Sequence, residues 1–68
     1  MAQFYVNQNQ QSGGEHEVHM EGCDFMPFEK NLLELGGHSS CSSAIEKAKE
    51  TYDHVNGCRH CTPDCHTS

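Results

Sequence analysis

The sequence predicts a small α+β fold: an antiparallel sheet of two or three strands, one C-terminal helix packed on a face, and a zinc ion as staple. Three observations carry this. Two β-prone runs, Phe4-Tyr5-Val6 and Glu15-His16-Glu17-Val18-His19-Met20, flank a polar stretch that ends in Gly13-Gly14. From Ser40 the apolar residues change to a helical period. Two separated pairs of metal-binding residue types, His19-x-x-x-Cys23 and Cys58-x-x-Cys61, bracket most of the chain.

Phe4-Tyr5-Val6 is short but aromatic and β-branched, which suits a pleated strand. Asn7 to Gly14 is polar, and its glycine pair suits a hairpin connection. In the second run His16, Val18 and Met20 alternate with Glu17 and His19, the period of a half-buried strand. This alternation creates a tension. If Val18 faces the core, His19 faces away from it, so a ligand role needs His19 near the strand end, where Gly22 allows a turn. Cys23 to Phe28 reads as an apolar loop closed by Pro27, with Phe25, Met26 and Phe28 as core candidates. Asn31-Leu32-Leu33-Glu34-Leu35 is the third strand candidate, stopped by Gly36-Gly37.

The helix is expected from about Ser39–Cys41 to about His54. Cys41, Ala44, Ile45, Ala48, Tyr52 and Val55 form one apolar stripe, with Glu46, Lys47, Lys49, Glu50 and Asp53 off it. Ser40 is the preferred N-cap, although Ser43 and Glu46 also fit a capping box. Lys49 and Asp53 stand at i,i+4, worth about 0.3 kcal/mol. Asn56-Gly57 ends the helix, with Gly57 in the left-handed conformation.

Sixty-eight residues allow a single domain, residues 1–68, with a core of about 4–62 and 63–68 as a tail. A chain this short buries only roughly 60% of its unfolded surface. Its apolar fraction of 34% lies under the roughly 45–50% usual for globular domains when glycine is counted with it. A staple is therefore expected on physical grounds. Five Cys and six His supply candidates. No apolar run approaches the roughly 18 residues of a membrane span, and residues 1–6 lack the pattern of a signal peptide. A cytoplasmic location is expected, where reduced thiols favour metal over disulfides. The net charge of −6 disfavours nucleic acid as a partner, because its recognition draws on clustered Lys and Arg. A protein partner is the expectation.

Structural zinc takes four Cys and His ligands, commonly from two paired segments. His19, Cys23, Cys58 and Cys61 are the first choice. Cys65 and His66 are alternative ligands: Cys58, Cys61 and Cys65 could share one metal with Cys23. A redox-active Cys58/Cys61 pair is a further alternative, but a reactive thiol favours a helix N-terminus, and Cys58 is expected just after a helix C-terminus, where the dipole disfavours a thiolate. A disulfide such as Cys23–Cys58 also stays open. Cys41, on the apolar stripe, reads as a small buried hydrophobe. A closed four-ligand site leaves no position for water or substrate, and no G-x-S-x-G, H-E-x-x-H or phosphate loop is present. The expectation is a binding module and not an enzyme, with thiol-based metal handling or redox work by Cys58, Cys61 and Cys65 as the alternative.

Taken together, His19-x3-Cys23, Leu33-Glu34-Leu35, Ser40 through Ala48 and Gly57-Cys58-Arg59-His60-Cys61-Thr62-Pro63 resemble the zinc-binding N-terminal domain of the Ada DNA-repair proteins. The resemblance spans about Phe4 to Pro63. The ending Asn56-Gly57-Cys58-x-x-Cys61-x-x-x-Cys65-His66 also resembles that of a family of small bacterial proteins. The Ada resemblance implies that His19, Cys23, Cys58 and Cys61 hold the zinc. In the Ada domain the first cysteine of C-x3-C accepts a methyl group from damaged DNA phosphate. Here that position is His19, so the resemblance implies fold and metal and not the repair activity.

Overall fold

A computed structural model describes residues 1–67; Ser68, the end of the expected tail, lies outside the described residues. The fold is α+β. Strands β1 (Ala2–Asn7), β2 (His16–Met20), β3 (Leu32–His38) and β4 (Val55–Gly57) form one sheet in the order β3-β1-β2-β4, with helix α1 (Cys41–Ala48) packed on it.

The expected antiparallel part is present. β1 and β2 pair as a hairpin, with Phe4 opposite Met20 and Val6 opposite Val18. β3 pairs with the other edge of β1. It does not stop at Gly36-Gly37 but runs through them, with a register shift opposite Phe4 and Tyr5. Gly36 sits at φ +86°, so the glycine that reads as a strand end is instead the irregularity that lets the strand continue.

Period 2 places Phe4, Val6 and Val18 on the face that α1 covers, where they form the core with Leu35, Ala44 and Ala48. His16 shares that face. Its ring stacks on Tyr52 at 3.7 Å between centroids, and its Nδ1 lies 2.9 Å from the carbonyl of Asn7. Alanines at the helix contact permit close packing of α1 on the sheet.

The helix is shorter than its apolar stripe. It ends at Ala48, not near His54, and Tyr52 N–H still donates to the Ala48 carbonyl as the chain leaves. The expected Lys49–Asp53 pair consequently does not form; Lys49 and Lys47 face Glu46 and Glu50 instead. Val55 then enters the sheet as β4, parallel to β2, with Val55 opposite His16 and Gly57 opposite Val18. Strand pairing wins over local helical period because Tyr52 and Val55 still reach the core from the new path. Ser40 is at the N-cap position, as expected, but its hydroxyl meets Ser42 and makes no cap hydrogen bond.

Gly57 is required for a different reason from helix termination. It is a buried strand residue, and a Cβ there would lie 2.8 Å from the backbone carbon and Cβ of Cys65 and from Thr62 Oγ1. Gly57→Ala is expected to lower stability by about 1–3 kcal/mol through this overpacking. A urea midpoint equal to that of the parent chain would contradict the close approach.

Candidate metal centre

His19 is the fourth residue of β2 and points away from α1, as the strand period requires. It is nevertheless 1% exposed. Two loops bury it. Chain reversal after β2 is a tight turn in which Cys23 N–H donates to the Met20 carbonyl and Gly22 adopts φ +84°. That turn brings Cys23 back beside His19. On the other side β4 runs straight into Cys58, whose N–H donates to the Val18 carbonyl at 2.9 Å. The parallel pairing of β4 therefore sets the position of the Cys58–Cys61 turn over the end of β2.

The four ligand atoms of His19, Cys23, Cys58 and Cys61 all lie within 4.8 Å of one another. His19 Nδ1 is 3.6 Å from Cys23 Sγ and 3.9 Å from Cys61 Sγ, and Cys23 Sγ is 3.9 Å from Cys58 Sγ. Backbone groups are aimed at two of the sulfurs: Met20 N–H donates to Cys61 Sγ at 3.3 Å and His60 N–H to Cys58 Sγ at 3.4 Å. Hydrogen bonds to a charged acceptor favour the charged form, so both suit sulfur ligating as thiolate. Thr62, 3% exposed, closes the turn from below, with its hydroxyl within reach of the Val18 and Cys58 carbonyls.

Burial pushes the His19 imidazole below its ordinary range, which favours the neutral form that can ligate. Burial also pushes the Cys61 thiol up, to about 12, aided by hydrogen bonding to Cys23 and opposed by the Met20 N–H. A cation entering this cluster must therefore displace protons from sulfur, the usual coupling of metal binding to pH.

Cys65 and His66, the alternative ligands, are placed elsewhere. Cys65 is bonded to Cys41, with Cα atoms 6.2 Å apart, and His66 Nδ1 lies 2.9 Å from the Gly57 carbonyl. Cys41 is thus not a free buried thiol but the first residue of α1, tied to the short 3₁₀ turn Pro63–Cys65. Cys23, Cys58 and Cys61 are free thiols, so no Cys23–Cys58 disulfide forms. The signal for the bonded pair was arithmetic: once three of five cysteines join the cluster, two remain. Phe25 and Phe28 correct another expectation. They are 59% and 79% exposed and lie outside the core. Phe25 stacks on His60 at 3.8 Å.

The class these features define is an α+β domain whose sheet end carries a four-donor His/Cys cluster able to hold a metal ion. Among the described residues no helix is long and apolar enough to cross a membrane. Compared with protein-family models, curated proteins and solved structures, the chain gives no match.

Proposed function

We propose that the chain is a small structural-zinc domain that serves as an interaction module, with His19, Cys23, Cys58 and Cys61 holding one Zn2+. The observation that carries this reading is the spacing of the donors. Zn–S and Zn–N bonds of about 2.3 and 2.0–2.1 Å arranged as a tetrahedron put sulfurs about 3.8 Å apart and sulfur about 3.6 Å from nitrogen. Three of the six donor separations, 3.6, 3.9 and 3.9 Å, match those edges, and all four donor atoms lie within 4.8 Å of one another. A set of three thiols and one imidazole is also a common structural zinc donor set. Zinc would supply a cross-link; the protein residues supply the donors, the N–H groups aimed at sulfur and the burial of His19 and Cys58.

A protein partner is supported by the surface beside the site. Phe25 and Phe28 place two aromatic rings at the surface, Phe25 stacked on His60. A groove of about 300 Å³ is lined by Tyr5, Met26 and Leu32 together with Glu21, Glu29 and Glu34. That chemistry fits a segment with basic side chains on aliphatic stems, and with a net charge of −6 it speaks against nucleic acid. The resemblance to the Ada zinc domain extends to fold and metal, and His19 in the accepting position speaks against methyl transfer. The thiol-redox alternative loses Cys65 to its bond with Cys41. A bonded Cys41–Cys65 pair suits an oxidising compartment, which weighs against the cytoplasmic placement.

The test is elemental analysis of protein purified without added metal, with a Co2+ substitution spectrum beside it. One zinc per chain and the intense bands of tetrahedral cobalt thiolate are expected. Absence of both in a folded chain would overturn the assignment.

A further inference from the structure

We propose that Glu17 is the positioning residue of the metal centre: its carboxylate accepts from His19 Nε2–H and so fixes Nδ1 as the ligating nitrogen. This rests on the zinc reading above and adds a residue that the ligand spacing does not reveal.

The strand places the two side chains together. Glu17 and His19 are two apart on β2, so both project from the face away from α1. His19 Nδ1 faces the sulfurs of Cys23 and Cys61. Its other nitrogen, Nε2, points out of the cluster, and Glu17 Oε1 lies 3.3 Å from it. That contact is off the N–H axis, so Nε2 makes no hydrogen bond in this arrangement and is the one buried side-chain nitrogen or oxygen without one among the described residues.

A buried donor left unmatched is costly; in the proposed arrangement a rotation of Glu17 brings its carboxylate onto the Nε2–H axis. The Glu17 side chain, 23% exposed, has the freedom to make that rotation. Its flank is set by β4, where Asn56 is opposite Glu17 in the register. An imidazole has one N–H and one lone pair when neutral. Holding the proton on Nε2 leaves the lone pair on Nδ1, aimed at the metal. A carboxylate behind a ligating histidine has this effect generally: it fixes the ring and raises ligand basicity, and its loss commonly weakens metal binding by roughly 10–100-fold.

The experiment uses the full chain with zinc as the probe. Affinity is measured by competition with a chromophoric chelator for the parent, Glu17→Gln, Glu17→Ala and Glu50→Ala. The last removes the same charge from an exposed position beyond the end of α1. Long-range 1H–15N spectra of the zinc-bound chains report which imidazole nitrogen carries the proton. The expected results are Nδ1 ligation with Nε2 protonated in the parent and a loss of roughly 10–100-fold for Glu17→Ala. Glu17→Gln, whose amide oxygen can still accept, is expected to lose less, and Glu50→Ala to stay within about twofold of the parent, well short of that loss. Glu17→Ala binding as tightly as the parent, equal losses for Glu17→Ala and Glu50→Ala, or ligation through Nε2 would each overturn the proposal. A parent chain that binds no zinc would instead overturn the zinc reading itself, so the two failures are distinguishable.

Discussion

Stripping the metal with a chelator is expected to unfold the chain. Binding at structural zinc sites contributes on the order of 10 kcal/mol to folding, against a net stability of about 5–15 kcal/mol for a typical domain. Here the remaining contributions are small. The core is two valines, one phenylalanine, one leucine and two alanines, and the outer face of the sheet at β2 is buried only because two loops fold onto His19. Without a cation, that end of the molecule would hold one buried thiol, two half-buried thiols and a buried imidazole with few partners. Cys58→Ala should reproduce the effect, since this 1%-exposed residue is both a donor and the hinge between β4 and the turn. Far-UV circular dichroism and amide dispersion in proton NMR, recorded before and after chelation, are the readouts. A chelated chain that keeps its dispersed spectrum would show that the cluster is not the staple.

The second large effect is expected from the Cys41–Cys65 bond. It spans 24 residues, and closing a loop of that size in the unfolded chain stabilises the native state by about 3 kcal/mol in the chain-entropy account. For a domain this small, 1 kcal/mol moves the melting temperature by about 4–8 °C. The Cys41→Ala/Cys65→Ala double variant, zinc-loaded, should therefore melt about 12–24 °C below the oxidised parent. Reducing the parent should move its curve toward that of the variant. Coincident curves for the oxidised parent and the variant would mean that the bond contributes nothing to stability. The two staples share one short segment. In the proposed zinc-bound state the metal would hold Cys58 and Cys61, the disulfide holds Cys65, and Gly57 packs against Cys65 between them. Loss of either should loosen the other's surroundings, so the two destabilisations are expected to be non-additive.

Several features were legible in the residue order because they are local. The alternation His16-Val18-Met20 gave β2 and its inward face, and Ala44, Ile45 and Ala48 gave α1. The ligand types and their pairing in two short motifs were legible too, since a turn of two or three residues between donors is itself a local device. The fate of Tyr52 and Val55 was not. Their spacing fits a helix as well as a path into β4, and only the unsatisfied edge of β2 decided between them. Gly36 and Gly57 read as terminators, yet one carries a strand through an irregularity and the other makes room for Cys65. What the sequence by itself determined was the α+β class, the need for a staple in so small a core, and the candidate donors. What only tertiary structure decided was which cysteines meet. Cys41 and Cys65 lie on opposite sides of the ligand turn in sequence. They become neighbours because β4 must run parallel to β2, which returns the chain across α1 before it ends.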